Sequence, residues 1–287
     1  MKFYDYKGAR IAVRQTGEGP PIIFVHCSSA SHKEWLFAAQ HYSSTHICLL
    51  PDMIGYGQSS GHLDEHGVPI ACSDADVIAM LLRQQSEPAD IVAHSYGAVA
   101  CIEAARMVPE KVKSMFLVEP VTFHLLRSEE HRDIWKQLGR LAQTVIDADA
   151  KGDYRKAARA YMSYWIGHLK WMFSPRRFKK AIIQTVPKVA HEFRQVFLQD
   201  SDASVYRVID CPITILTGGK STKAAHRTTE VLSSQFRHCR TVSIPSAGHM
   251  MPFTHPAQTF ELLNQHLLDA ARDRIDPASD ATGSAAT

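Results

Sequence analysis

A serine hydroxyl becomes a competent nucleophile only when a base removes its proton. Among the serines of this 287-residue chain, Ser95 has the right surroundings. Residues 90–94 read as a buried strand, and residues 99–107 carry apolar side chains at helical spacing. Between them lies Ala93-His94-Ser95-Tyr96-Gly97-Ala98, a G-x-S-x-G pattern with Ala at the first Gly. A strand, a tight turn and a helix in that order form the context in which such a serine is thrust out as a nucleophile. Large side chains at Ala93 or Gly97 would collide across the turn. The plain alternative is a serine that caps a helix.

An exposed turn of this kind needs a frame. Short apolar runs at 20–26, 46–50, 90–94, 112–118, 212–217 and 240–245 read as strands. Helical patterns cover 74–83, 99–107, 222–232 and 256–271. Continuous apolar strands separated by helices imply a parallel sheet covered on both faces, hence the α/β class. Between 121 and 207 the strand signal disappears and helical text replaces it, as in 134–138 and 156–162. The expected organisation is a core of 1–120 and 207–274, an all-helical cap of 121–206 between two sheet strands, and a small, polar, disordered tail of 275–287.

Three further motifs accompany the serine turn. They are Val25-His26-Cys27-Ser28-Ser29, Pro51-Asp52-Met53-Ile54-Gly55-Tyr56-Gly57-Gln58-Ser59, and Ser246-Ala247-Gly248-His249. In kind and order they resemble the α/β-hydrolase superfamily across residues 1 to about 272. The resemblance implies a mostly parallel, twisted sheet flanked by helices, with Ser95 as nucleophile and His249, after the last strand, as base. It also implies an oxyanion hole from the backbone amides of Ser28 and Tyr96, with Cys27 standing where the family usually has Gly. Many relatives place an Asp after the next-to-last strand. Here Ser221 stands there, and Asp210 lies before that strand, at the wrong end of a parallel sheet. Glu119 ends the preceding strand at the correct end, and some members of the superfamily place their acid there. Glu119 is therefore the expected third member. Asp52 is its competitor, although its place in a turn motif suggests a hydrogen-bonding role. His94 is expected to pack under the turn, His26 to support the oxyanion loop, and His255 to sit at a helix start.

These residues together point to a serine hydrolase that works without cofactor or metal through an acyl-enzyme. Asp-nucleophile chemistry, as in haloalkane dehalogenases and epoxide hydrolases, is disfavoured by Ser95. Acyl transfer, carbon–carbon bond hydrolysis and a non-catalytic small-ligand receptor remain open. The insertion carries Trp135, Tyr154, Tyr161, Tyr164, Trp165, Trp171, Phe173 and Phe178. Most of these are expected in its core and some over the site, which suggests a medium-sized hydrophobic or aromatic ester, thioester or lactone as the small-molecule partner. Residues 121–206 hold 15 Lys and Arg against 9 Asp and Glu, and 176–180 is the densest stretch. A solvated helix face is the expected reading, with attraction of an anionic substrate as its alternative. The formal charge of +3 is too mild for a nucleic-acid partner. No apolar run approaches the 18–20 residues or so that span a bilayer. The six cysteines form no C-x-x-C pair. Free thiols in apolar runs and the absence of a signal-like apolar stretch in residues 1–7 lead to the expectation of a cytoplasmic protein.

Overall fold

The computed structural model describes residues 1–61 and 72–272; the expected tail at 275–287 lies outside them. Eight strands form one sheet: β1 (Lys2–Tyr6), β2 (Ala9–Thr16), β3 (Pro21–Val25), β4 (Ile47–Pro51), β5 (Ala89–His94), β6 (Val112–Val118), β7 (Ile213–Gly218) and β8 (Cys239–Ile244). Their order is β1-β2-β4-β3-β5-β6-β7-β8. The pairs β1/β2 and β2/β4 are antiparallel, and the others are parallel. Six strands fall on the apolar runs of the sequence. β1 and β2 have no such run, because an antiparallel edge keeps one face wet and interleaves polar residues such as Arg10 and Arg14.

The α-helices are α1 (Leu36–Tyr42), α2 (Asp74–Arg83), α3 (Tyr96–Met107), α4 (Arg132–Ala150), α5 (Tyr154–Ile166), α6 (His168–Phe173), α7 (Arg176–Gln184), α8 (Val186–Leu198), α9 (Lys223–Ser233), α10 (Met251–Thr254) and α11 (Pro256–Arg272). Successive strand residues face opposite sides of the sheet, and the core divides accordingly. Ile23, Val25, Ile91, Ala93 and Leu117 pack under α2 and α3. Ile22, Phe24, Val92, Phe116 and Val118 pack under α1 and α11. Helices α4 to α8 lie between β6 and β7 and build a third apolar cluster of their own, including Val145, Met162, Trp171 and Val189. Among the described residues, no helix is long and apolar enough to cross a membrane.

Candidate active site

The turn after β5 is strained. Ser95 sits at φ 57°, ψ −123°, and α3 begins at the next residue. A non-glycine residue there costs on the order of 1–3 kcal/mol and persists only where its surroundings impose it. Two such constraints are visible. The Ser95 amide donates to Val118 O across the sheet at 2.9 Å. A Cβ added at Gly97 would lie 2.3 Å from His26 O, so only glycine lets α3 approach the neighbouring strand this closely.

From this turn a chain of hydrogen bonds runs inward. Ser95 Oγ donates to His249 Nε2 at 2.9 Å, and His249 Nδ1–H donates to Glu119 Oε2 at 2.7 Å. The carboxylate fixes the tautomer, which leaves Nε2 free to accept. Glu119 follows β6 at φ 42°, also left-handed. Its Oε1 accepts the Gly218 amide at 2.7 Å. Burial alone would raise the Glu119 carboxyl, but His249, the nearby Ser221 hydroxyl and the Gly218 amide hold it below the usual carboxylate range. Burial lowers His249 below the ordinary histidine value, against the pull of Glu119 and with a further push from His94.

The competing acids lie elsewhere. Asp52 Oδ1 accepts from His32 N and Nδ1 at 2.7 and 2.9 Å, and Oδ2 from the Gln58 amide at 2.9 Å. Its carboxylate is thus taken up in holding its own turn. Asp210 is largely exposed and pairs with His238. His255 bonds Ser246 and Thr254 just before α11.

Ser28 and Tyr96 both line the pocket that opens on Ser95. As the first residue of α3, Tyr96 has an amide with no acceptor within its helix. The loop carrying Ser28 is held from beneath: His26 Nδ1 donates to Cys27 O at 2.7 Å, and its Nε2 accepts the Met53 amide at 3.0 Å. Cys27 is compatible with this loop; the left-handed position falls on Ser29, at φ 61°.

The pocket has a volume of about 370 Å³, mouth included, and its walls are mostly apolar: Val121, Phe123, Trp165, Val189, Phe193 and Val196. Of the eight aromatics singled out above, Tyr161 and Trp165 reach it, Trp171 packs in the helical cluster, and Phe173 is 79% exposed. Trp165 stacks on the His249 ring with centroids 3.7 Å apart. The basic run in α7 is a mostly exposed face.

Two acidic residues near the site carry no local sequence signal. Glu192, on α8, lines the pocket and accepts from Ser28 Oγ at 2.6 Å. Its other oxygen faces Lys188 Nζ at 3.7 Å, while Lys188 bonds Asp74 at 2.6 Å. Burial pushes Glu192 up to about 7 despite Lys188. Glu34 lies on the far side of the turn, beside His94. Cys27, Glu34 and His94 bring ligand-type atoms within 4.8 Å of one another, yet both Glu34 oxygens and both His94 nitrogens already have hydrogen-bond partners.

The family profile described as alpha/beta hydrolase fold matches residues 20–256. The chain is similar to the dihydrolipoyllysine-residue acetyltransferase component of the acetoin cleaving system of Cupriavidus necator, at 29% identity over 123 residues, 42% of this chain and 32% of that protein. It is also similar to an epoxide hydrolase of Caballeronia sordidicola, at 29% over 119 residues, 40% and 36% of the two chains. The match thus spans about a third of the length of these curated relatives. Among solved structures, a thermophilic esterase from Thermogutta terrifontis superposes with a TM-score of 0.71 at 17% identity, covering 94% of this chain and 99% of that one. At such identity the likeness speaks for the fold.

Proposed function

Since the chain belongs to the α/β-hydrolase fold family, we propose that it is a serine hydrolase acting on medium-sized hydrophobic or aromatic esters, thioesters or lactones. The observation that carries this reading is the chain Ser95–His249–Glu119, with links of 2.9 and 2.7 Å, at the head of an apolar pocket. His249 takes the Ser95 proton as the oxygen attacks the substrate carbonyl, and Glu119 stabilises the imidazolium that forms. The amides of Ser28 and Tyr96 receive the developing oxyanion, helped by the N-terminal end of α3. His249 then protonates the leaving group, and water attacking through the same base releases the acid. Helices α4 to α8 act in this scheme as a cap whose aromatic side chains select the substrate. Six free cysteines fit work in a reducing compartment, the cytoplasm.

An alcohol or amine in place of water would make the same machinery an acyltransferase, and product analysis with added acceptor separates the two. The first test is labelling with a fluorophosphonate, followed by rates on aryl and acyl esters of graded chain length. Labelling at Ser95, its loss in Ser95→Ala and turnover of at least one ester class are the expected results. A folded protein that neither labels nor turns over any ester is a ligand receptor, and the proposal fails.

A further inference from the structure

Beneath the nucleophile turn lies a pair that the catalytic scheme leaves without a role. His94 ends β5 and Glu34 lies in the short helical turn before α1; both side chains are 0% exposed. His94 Nδ1 is 2.6 Å from Glu34 Oε1. Its Nε2 is 2.9 Å from the backbone carbonyl of His249. The second glutamate oxygen, Oε2, accepts the amide of Cys27 at 2.8 Å. Three loops thus meet on two side chains: the Cys27–Ser28 loop, the Ser95 turn and the His249 loop.

The protons can be counted. A backbone carbonyl only accepts, so His94 Nε2 carries a hydrogen. The other nitrogen faces a carboxyl oxygen, so one more proton lies between Nδ1 and Oε1. Burial alone would lift Glu34, but the charge and hydrogen bond of His94, the Cys27 amide and His26 hold it below the usual carboxylate range. An imidazole is a stronger base than a carboxylate, so the proton shared across this 2.6 Å contact is assigned to His94. A buried charge is tolerable when it is paired and hydrogen-bonded, and this pair is both.

We propose that Glu34 and His94 form a buried carboxylate–imidazolium strut, a pair of positioning residues that sets the His249 loop and the oxyanion loop against Ser95. The proposal rests on His249 being the base. His94 lies 5.0 Å from the His249 ring, centroid to centroid. Its positive charge disfavours a second charge on His249, whereas Glu34 and Glu119 favour one. The remaining titratable group against the pair is Cys27, whose thiol burial and Glu34 keep protonated. The strut thus acts on the base in two ways: it fixes the carbonyl of His249, and it biases the ring toward the neutral form that can accept a proton.

The proton count is read directly by nitrogen-15 NMR of the imidazoles in the full-length protein at pH 7. Two N–H groups on His94 are expected, assigned by their loss in His94→Gln. A His94 ring with one bare nitrogen in the folded parent overturns the proposal. This arm needs no substrate, so it stands apart from the hydrolase reading, which the Ser95 label tests. The kinetic arm uses Glu34→Gln, whose amide can still accept from Cys27 and donate to a neutral His94. The variant removes both the cation and the Glu34 carboxylate; the cation is the larger influence on His249, so the acid limb of kcat/KM should move to higher pH. His94→Gln loses the carbonyl hold as well, and kcat should fall by on the order of a hundredfold with KM little changed, as for a misplaced catalytic group. If both variants are folded and keep the parental pH profile and kcat, the pair merely fills space and the proposal is wrong.

Discussion

Glu119 and Glu192 are both buried glutamates at the site, 0% and 4% exposed, and they end in opposite electrostatic states. In each, burial acts first and upward. Glu119 then gains a ring N–H from His249 and the Gly218 amide and falls below the ordinary carboxylate range. Glu192 has the Ser28 hydroxyl, but the nearest cation, Lys188, is bound more tightly by Asp74, at 2.6 Å against 3.7 Å. It is pushed up to about 7. What separates the two is which carboxylate holds the nearby positive charge. Only a carboxylate that stays ionised can stabilise an imidazolium, so in the proposed mechanism that part belongs to Glu119, which bonds His249, and not to Glu192.

The largest effect that bears on this contrast is at the nucleophile. Ser95→Ala should fold normally and lose at least about a thousandfold in kcat on the best ester. Activity within tenfold of the parent would leave neither glutamate a place in the chemistry. The next is Glu119→Gln, which keeps shape and removes charge. An oriented carboxylate in a triad is worth up to about 10⁴ in kcat, and a loss of at least about a hundredfold is expected. Near-parental kcat in this variant, with Asp52→Asn inactive yet folded, would make Asp52 the acid.

The third prediction concerns pH. His249 accepts a proton only when neutral, so kcat/KM should be full at high pH and fall as pH drops through the His249 pKa. Because burial lowers that value, the midpoint belongs below the ordinary 6.5. A midpoint above 7 in the parent that Glu192→Gln abolishes would hand the limb to Glu192. The smallest effect is on stability. A carboxyl raised from 4.5 to about 7 binds more protons in the native than in the unfolded chain across that window. Native stability therefore falls as pH rises through it. Glu192→Gln has no such penalty, so its Tm relative to the parent should rise between pH 5 and pH 8, by roughly 2–5 °C. Melting curves with a constant offset over that range would show that Glu192 is ionised at both ends.

The sequence was most legible where local rules dominate. The parallel strands are short apolar runs that must be buried on both faces, and the Ser95 turn is a strand, small residues and a helix in order. Glu119 was legible as a carboxylate at the end of an apolar strand, the correct end of a parallel sheet. The antiparallel pair β1 and β2 was not, since exposed residues interrupt it. Glu34 and Glu192 were illegible for another reason. Each sits in a mixed helical segment with no pattern that marks it, and only packing against distant segments buries it, 60 positions from His94 in one case and 164 from Ser28 in the other.

From the residues alone came the α/β class, the tight turn at Ser95 and a carboxylate at the end of β6, because period, turn chemistry and strand polarity are properties of neighbouring residues. The tertiary structure alone decided which groups share a proton. Ser95, Glu119 and His249 are 24 and 130 positions apart along the chain, yet they touch because the parallel sheet brings its strand ends to one edge. The charge of each buried carboxyl follows from partners that this edge and helices α4 to α8 bring together, and a hydrogen bond or an ion pair, unlike an apolar stripe, leaves no period in the sequence.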